Sequence, residues 1–206
     1  MDQFILAFDR AARTLSGAAR ARRPSPADQF AAATSLTGAE REQSLSLMRV
    51  NHAGEVAAQA LYQGQAFVSR SPALCEELSH AADEELDHLA WTRDRVHDLG
   101  GRTSLLGPLW YAGAFVVGAA AGALSDKVSL GFLQATEEQV EAHLASHLNQ
   151  LPGSDVPSRA IVEQMKQDEA QHAQIAHSLG ARELSRPVQA LMRLGSRVMT
   201  TLAAKI

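Results

Sequence analysis

One spacing pattern occurs twice in this 206-residue chain: a glutamate, about thirty residues, and then a Glu-x-x-His motif. Glu55 lies thirty residues before Glu85 of the first motif. In the second copy, Glu137 lies thirty-two residues before Glu169. About thirty residues separate the middle of one helix from the middle of the next in an antiparallel hairpin. The repeat therefore predicts an all-α four-helix bundle with a polar site at one level inside it.

Each motif ends in a histidine, His88 or His172, one turn after its glutamate. Because residues i and i+3 share a helix face, each motif can present a carboxylate and an imidazole to one ion. Iron(II) accepts both donors, and four carboxylates neutralise two divalent ions. Ferritin-like di-metal carboxylate proteins have this ligand arrangement. The predicted metal ligands are Glu55, Glu85, His88, Glu137, Glu169 and His172.

Neighbouring acids compete with this assignment. Glu77 and His80 also form a Glu-x-x-His motif, but it has no second copy, so we interpret it as a chance occurrence. Glu137 and Glu138 lie 100° apart on a helix, and only one of them can face the site. The spacing of the repeat does not decide between these two glutamates.

Two further pairs lie close to the repeat. His143 and His147 share a helix face, and we expect them at the surface or behind the ligands, because direct ligation would break the repeat. Asp87 and Asp168 can either hydrogen-bond the ligand histidines or remain solvated.

Helix signals divide the rest of the chain. Residues 22–38 are rich in proline, serine, threonine and alanine and are interpreted as a linker. We therefore expect an N-terminal amphipathic segment and linker at residues 1–40. A bundle with a basic C-terminal helix follows at residues 41–206. The predicted helices span about residues 40–70, 72–98, 109–149 (with an apolar entry), 157–179 and 186–204.

Charge is segregated along the chain. Residues 1–23 carry five arginines against two aspartates, and residues 182–206 carry four arginines and one lysine against one glutamate. Basic ends favour attraction to anionic lipids, although a solvated helix surface is the simpler explanation. The basic segments lack the aromatic residues and motifs of nucleic-acid binding. The single cysteine, Cys75, excludes an internal disulfide and a thiolate cage, and favours the cytosolic side of a membrane.

Residues 103–125 contain no charge and are long enough to span a bilayer. A single crossing would place His88, before this stretch, and Glu137, after it, on opposite sides of the membrane. We therefore expect a monotopic protein that lays this stretch and the basic C-terminal helix on the cytoplasmic face of the inner membrane. A dimer or partner contact is the alternative use of this apolar stretch.

Four segments, RVNHAGEVAA, EELDH, TEEQVEAH and DEAQHAQIA, resemble the demethoxyubiquinone hydroxylase family, the Coq7-type di-iron monooxygenases. The resemblance runs from about residue 40 to the end and is to bacterial members. Matched position by position, it implies the same six ligands and selects Glu137 over Glu138. It also implies two iron ions bridged by Glu85 and Glu169.

The resemblance further implies hydroxylation, with dioxygen, of a prenylated methoxy-methyl-benzoquinol (demethoxyubiquinol) at the ring position methylated in the next step of ubiquinone biosynthesis. NADH or a separate reductase would supply electrons, and the chain has no Gly-x-Gly-x-x-Gly fingerprint of its own. Other ubiquinone-biosynthesis proteins are possible partners. A ferritin-like iron-oxidising or iron-storage protein is the alternative function, and a membrane-associated scaffold with a vestigial site is a third.

Overall fold

A computed structural model of the chain describes residues 2–30 and 35–206. Residues 31–34 of the predicted linker lie outside the described residues. All regular structure within these ranges is helical, which confirms the predicted all-α fold. The helices are α1 (Asp2–Ser16), α2 (Gly38–Val68), α3 (Pro72–Asp98), α4 (Gly107–Leu124), α5 (Asp126–Gln150), α6 (Val156–Ser178) and α7 (Arg186–Ala203), with a short 3-10 turn at Asp28–Phe30.

Capping residues fix the ends of the bundle helices. Thr37 accepts a hydrogen bond from the backbone N–H of Glu40, and the Glu40 carboxylate accepts one from the backbone N–H of Thr37, so α2 begins with a capping box. Ser71 caps α3 and Pro72 occupies its first turn. Gly100, at φ +80°, follows the end of α3 in the left-handed conformation that glycine adopts without strain.

The bundle consists of two helical hairpins. Helices α2 and α3 form one hairpin, in which a short loop joins two helices that pack along each other. Helices α5 and α6 form the second hairpin in the same way. Helix α4 connects the hairpins and lies along the outside of α2. Each hairpin therefore carries one copy of the Glu…Glu-x-x-His pattern.

Apolar clusters close the bundle above and below the level of this pattern. Along each of the four helices, the glutamate or Glu-x-x-His lies between a residue of one cluster and a residue of the other. The polar site is thus separated from both ends of the bundle by packed side chains. One cluster includes Met48, Trp91, Val96, Leu144, Ile161 and Met165, and the other includes Tyr62, Leu74, Leu78, Leu130, Leu133 and Ala176.

Helices α2 and α4 approach each other at two glycines. A Cβ atom on Gly118 of α4 would overlap the backbone carbonyl oxygen of Leu61, and one on Gly64 of α2 would overlap that of Phe115. Glycine permits this backbone-to-backbone contact because it has no side chain.

We expect Gly118→Ala to lower the free energy of unfolding by about 1–3 kcal/mol, because the added methyl group forces α4 away from α2. Gly113 on the same helix is a matched control, since a Cβ there meets no heavy atom within 4 Å. Gly113→Ala should raise stability by up to about 1 kcal/mol through helix propensity. Urea-unfolding midpoints should shift in opposite directions, and equal destabilisation by both substitutions would contradict the close packing.

The segment after α1 is held against the bundle. We call residues 17–30 the strap. The guanidinium of Arg93 on α3 donates hydrogen bonds to the carbonyl oxygens of Gly17 and Ala19. The backbone N–H of Arg22 donates to Asp87 of α3 at 2.6 Å. The interpretation of residues 22–38 as a linker did not anticipate the contact of Arg22 with the bundle.

Candidate metal centre

The structure brings all six predicted ligands together in the bundle interior, and none exposes more than 6% of its surface. Helix α2 supplies Glu55 and α5 supplies Glu137. Helices α3 and α6 each supply one Glu-x-x-His motif. The buried set is Glu55, Glu85, His88, Glu137, Glu169 and His172.

The donor atoms form two overlapping groups of four. Within each group, one ligand atom from every residue lies within 4.8 Å of the others. Glu85 and Glu169 belong to both groups. The geometry thus offers two adjacent positions for metal ions that share two carboxylates. The groups are Glu55, Glu85, His88 and Glu169, and Glu85, Glu137, Glu169 and His172.

Both imidazole rings direct Nδ1 toward the carboxylates. Nδ1 of His88 lies 3.0 Å from Glu85 and 3.4 Å from Glu169. Nδ1 of His172 lies 3.3 Å from Glu85 and 3.6 Å from Glu169. Nδ1 is therefore the nitrogen that each ring can offer to an ion.

The other ring nitrogen is held by an acid from the opposite helix. Nε2 of His88 on α3 lies 2.9 Å from Asp168 on α6. Nε2 of His172 on α6 lies 2.8 Å from Glu84 on α3. An ionised carboxylate accepts hydrogen bonds and cannot donate them, so Nε2 donates in both pairs. Nδ1 of each ring therefore remains directed inward. The two acids precede Glu169 and Glu85 directly, which makes the crossed pattern nearly symmetric.

Burial and crowding perturb the ionisation of the site. Burial, together with the charges of Glu85 and Glu169, raises the pKa of Glu55 well above its ordinary value. Burial and the charge of Glu169 likewise raise the pKa of Glu137. Burial alone would lower the pKa of His172, but the adjacent carboxylates of Glu169 and Glu85 raise it to about 12. The cluster attracts positive charge strongly.

The residues fit a pair of divalent ions. Four carboxylates balance the charge of two such ions, and each imidazole adds a nitrogen donor once the ion displaces the proton from Nδ1. Several of the buried atoms that could bind a metal ion have no hydrogen-bond partner among the described residues. Leaving them so costs free energy unless an ion binds them. These atoms are Glu55 Oε2, Glu85 Oε1, Glu137 Oε1, Glu169 Oε2 and His172 Nδ1.

The competing acids lie elsewhere. Glu138 is exposed and accepts a hydrogen bond from Gln134, whereas its neighbour Glu137 is buried in the site. Glu77 and His80 are exposed on α3 and belong to neither donor group. The geometry distinguishes the repeated motif from this isolated copy.

The paired histidines of α5 are also outside both donor groups. His147 is buried, and its Nδ1 lies 2.7 Å from Asn51 Oδ1. Burial, with a smaller effect of His143, lowers the pKa of His147 to about 3, so the ring is neutral near pH 7. Of the two aspartates considered, Asp168 contacts a ligand histidine, while Asp87 accepts hydrogen bonds from the strap.

Sequence reasoning missed two residues beside the ligands. Glu84 was visible as the acid before Glu85, but no pattern indicated that it would reach the histidine of the opposite helix. Arg23 of the strap contacts Asp87 and Asp168. Its only sequence signal was its position in a basic cluster before a proline-rich segment.

A solved structure has a similar fold. The bacterioferritin-related protein of Bacteroides fragilis, described as a dodecameric thioferritin, matches with a TM-score of 0.56 and 18% identity. The match covers 67% of this chain and 84% of that protein. It confirms the predicted ferritin-like architecture.

Close relatives match nearly the whole chain. The family model described as "Ubiquinone biosynthesis protein COQ7" matches residues 42–203. The 3-demethoxyubiquinol 3-hydroxylase of Chromobacterium violaceum is 56% identical over 200 residues, covering 97% of each chain. Those of Variovorax paradoxus and Ralstonia pickettii are 56% and 53% identical, cover 100% of this chain, and are themselves covered over 98% and 100% of their lengths. This chain belongs to the COQ7 family of ubiquinone biosynthesis proteins.

Proposed function

We propose that the six buried residues bind two iron ions. One ion would lie in the group that contains His88 and the other in the group that contains His172. Glu85 and Glu169 would bridge the ions, because these two carboxylates belong to both groups. This sharing is the single observation that most supports a paired centre over two independent sites.

The reaction we infer is hydroxylation of 3-demethoxyubiquinol, the substrate in the name shared by relatives at 53–56% identity. Overall, the reaction consumes one dioxygen, two electrons and two protons, places one oxygen atom on the quinol ring and reduces the other to water. Two bound iron(II) ions would supply electrons to dioxygen. NADH or a separate reductase would restore those electrons.

The chain's own residues prepare this chemistry. Asp168 and Glu84 fix the ring orientation of the two histidines, so that Nδ1 of each faces inward. The apolar clusters at both ends of the site limit access of water. The two hairpins hold the halves of the site on rigid helices instead of loops.

Isotope labelling tests this function. Purified protein loaded with Fe(II) is given 3-demethoxyubiquinol, a reductant and ¹⁸O₂, and the product is analysed by mass spectrometry. We expect the hydroxylated quinol to carry one ¹⁸O atom. Product without the label, or iron oxidation without product, would contradict the hydroxylase function and favour iron oxidation or storage.

We also propose that the protein binds the cytoplasmic face of a membrane through α1, α4 and α7. Helix α4 is the one helix among the described residues that is long and apolar enough to cross a bilayer, yet only 17% of it is buried. Trp110 of α4 packs against an apolar cluster that includes Ala203 of α7, and Phe115 of α4 and Ala11 of α1 pack against another. The three helices are therefore neighbours. Their exposed apolar side chains include Phe4, Ile5, Phe8, Leu109, Val116, Val117, Leu191, Leu194 and Val198.

Attachment to one face suits this structure better than crossing. Helix α4 begins after α3 and ends before α5, and both of these helices belong to the bundle that holds the metal-binding residues. Helix α7 carries exposed Arg193 and Arg197 as well as exposed apolar side chains, a combination typical of helices that lie in the headgroup region. A quinol with a long isoprenoid tail could then reach the bundle from the lipid.

Vesicle binding tests this attachment. We expect Arg193→Gln/Arg197→Gln to weaken binding to anionic vesicles about thirtyfold, because each basic residue near such a surface contributes about 1 kcal/mol. Lys166→Gln is the control, since Lys166 lies on α6 and pairs with Glu163. It should change binding less than about twofold. Equal weakening by both variants, or a stable dimer that buries α4 in place of vesicle binding, would contradict the proposed orientation.

A further inference from the structure

We propose that Arg23 is a positioning residue for the His88 half of the metal centre, an inference that rests on the proposed two-iron function. Arg23 lies in the strap, outside the four-helix bundle and 32 residues before the first proposed ligand. Its role is carried by one chain of contacts that ends at the imidazole of His88.

The guanidinium joins two helices through two carboxylates. Its Nε donates to Asp87 of α3 at 2.7 Å, and its Nη2 donates to Asp168 of α6 at 2.8 Å. The group also lies over the ring of Trp91, 4.8 Å from the ring centroid. The backbone carbonyl of Arg23 accepts a hydrogen bond from the Trp91 indole N–H at 3.4 Å. Both the side chain and the backbone of Arg23 are thus fixed.

Asp168 carries this constraint to the ligand. The same oxygen, Oδ2, accepts hydrogen bonds from Arg23 and from Nε2 of His88, while Oδ1 accepts one from Gln164 at 2.9 Å. An acid with all of these partners has little freedom to rotate. The position of the His88 ring, and with it the direction of Nδ1, depends on this acid.

The constraint acts where the bundle has little other support. Helices α3 and α6 belong to different hairpins and pack on each other much less than either packs on its hairpin partner. Arg23 bonds Asp87 on one of these helices and Asp168 on the other. It therefore stabilises the distance between the two Glu-x-x-His motifs.

The corresponding acid on the other side is held less firmly. The Glu84 side chain, which accepts from His172, is 40% exposed, whereas that of Asp168 is 14% exposed. Besides His172, the basic side chain within 4.0 Å of Glu84 in the described residues is His80, which lies 3.5 Å away on the surface. The two halves of the centre are therefore unequal. Loss of Arg23 should affect mainly the ion bound by His88.

Anaerobic titration of the metal-free protein with Co(II), followed by its visible absorption, tests this role. We expect the wild-type protein to bind two equivalents. In Arg23→Ala one equivalent should bind about 10–100-fold more weakly, while the other changes little. Arg22→Ala is the matched control, because the Arg22 side chain pairs with Asp83 at the surface and does not touch Asp87 or Asp168.

Arg23→Lys guards against a variant that fails to fold. The lysine ammonium keeps the positive charge but cannot bond both carboxylates as the planar guanidinium of arginine does. The same equivalent of Co(II) should therefore still bind more weakly than in the wild-type protein. Two equivalents of wild-type affinity and spectrum in Arg23→Ala or Arg23→Lys would overturn the inference, even if urea unfolding showed lower stability. Failure of the wild-type protein to bind two equivalents would instead contradict the proposed function and the inference with it.

Discussion

Glu169→Ala is expected to reduce quinol hydroxylation by about 10³-fold or more, since the metal centre would supply several kcal/mol of activation. Glu169 belongs to both donor groups, so its loss removes a ligand from both proposed ions. The substitution also leaves His88 and His172 each without one neighbouring carboxylate. Steady-state product formation and iron content, measured on the same preparation, check the result.

Glu77→Ala is the matched control for this result. Glu77 is also the glutamate of a Glu-x-x-His motif, but it is exposed on α3 and lies in neither donor group. Its removal should leave turnover and iron content within about twofold of wild type. Turnover of Glu169→Ala within tenfold of wild type would contradict the assignment of Glu169 as a ligand.

Asp155→Ala is expected to lower the free energy of unfolding by about 3–5 kcal/mol. The Asp155 side chain is fully buried, caps α6, and lies 2.6 Å from the guanidinium of Arg95. Removing it leaves the largely buried arginine charge without its main partner and leaves the Ser158 N–H uncapped. Urea unfolding of the metal-free protein measures the effect without a contribution from metal binding.

Asp98→Ala tests the same arginine at its exposed side. Asp98 lies 4.0 Å from Arg95 and its side chain is 67% exposed, so its removal should cost less than about 0.5 kcal/mol. Comparable destabilisation by both substitutions would show that burial of the Asp155 pair is not the cause.

The pH dependence of the Asp155 effect follows from its ionisation. Burial would raise the pKa of Asp155, but its hydrogen bonding with Ser158 and the charge of Arg95 lower it below the ordinary value. A carboxyl group with a lowered pKa in the folded state stabilises the protein above its unfolded pKa of about 4. That contribution is lost as pH falls through the folded value. The difference between wild type and Asp155→Ala should therefore shrink below about pH 4.

The spacing of the sequence was sufficient to predict the bundle and the gathering of the site residues. Helix period and hairpin length are local properties, and they place Glu55 level with Glu85, and Glu137 level with Glu169. The choice of Glu137 over Glu138 came from the family resemblance, because spacing alone does not give the rotation of α5 about its axis. The prediction of one helix over residues 109–149 was wrong: Ser125 ends α4 and caps α5, so the apolar stretch is a separate helix. The requirement that α3 and α5 share one site excluded a membrane crossing, but it did not indicate this division.

Contacts between separate segments were not predictable from the sequence. The hydrogen bond between Glu84 and His172 depends on the rotation of α3 relative to α6. The sequence of neither helix indicates that rotation. Arg23 lies in a segment without a helix pattern, so its contact with Asp168 is fixed by tertiary packing alone. Residues 1–40 and 41–206 remain a predicted division of the chain, and the Arg23 contacts cross it.

We expect one chain to bind two iron ions at shared carboxylates. Anaerobic equilibration of the metal-free protein with Fe(II), followed by separation of unbound metal and determination of iron per chain, tests it most directly. The proposed centre predicts two iron ions per chain in the wild type and in Glu77→Ala. One iron ion or none in the wild-type protein would contradict it.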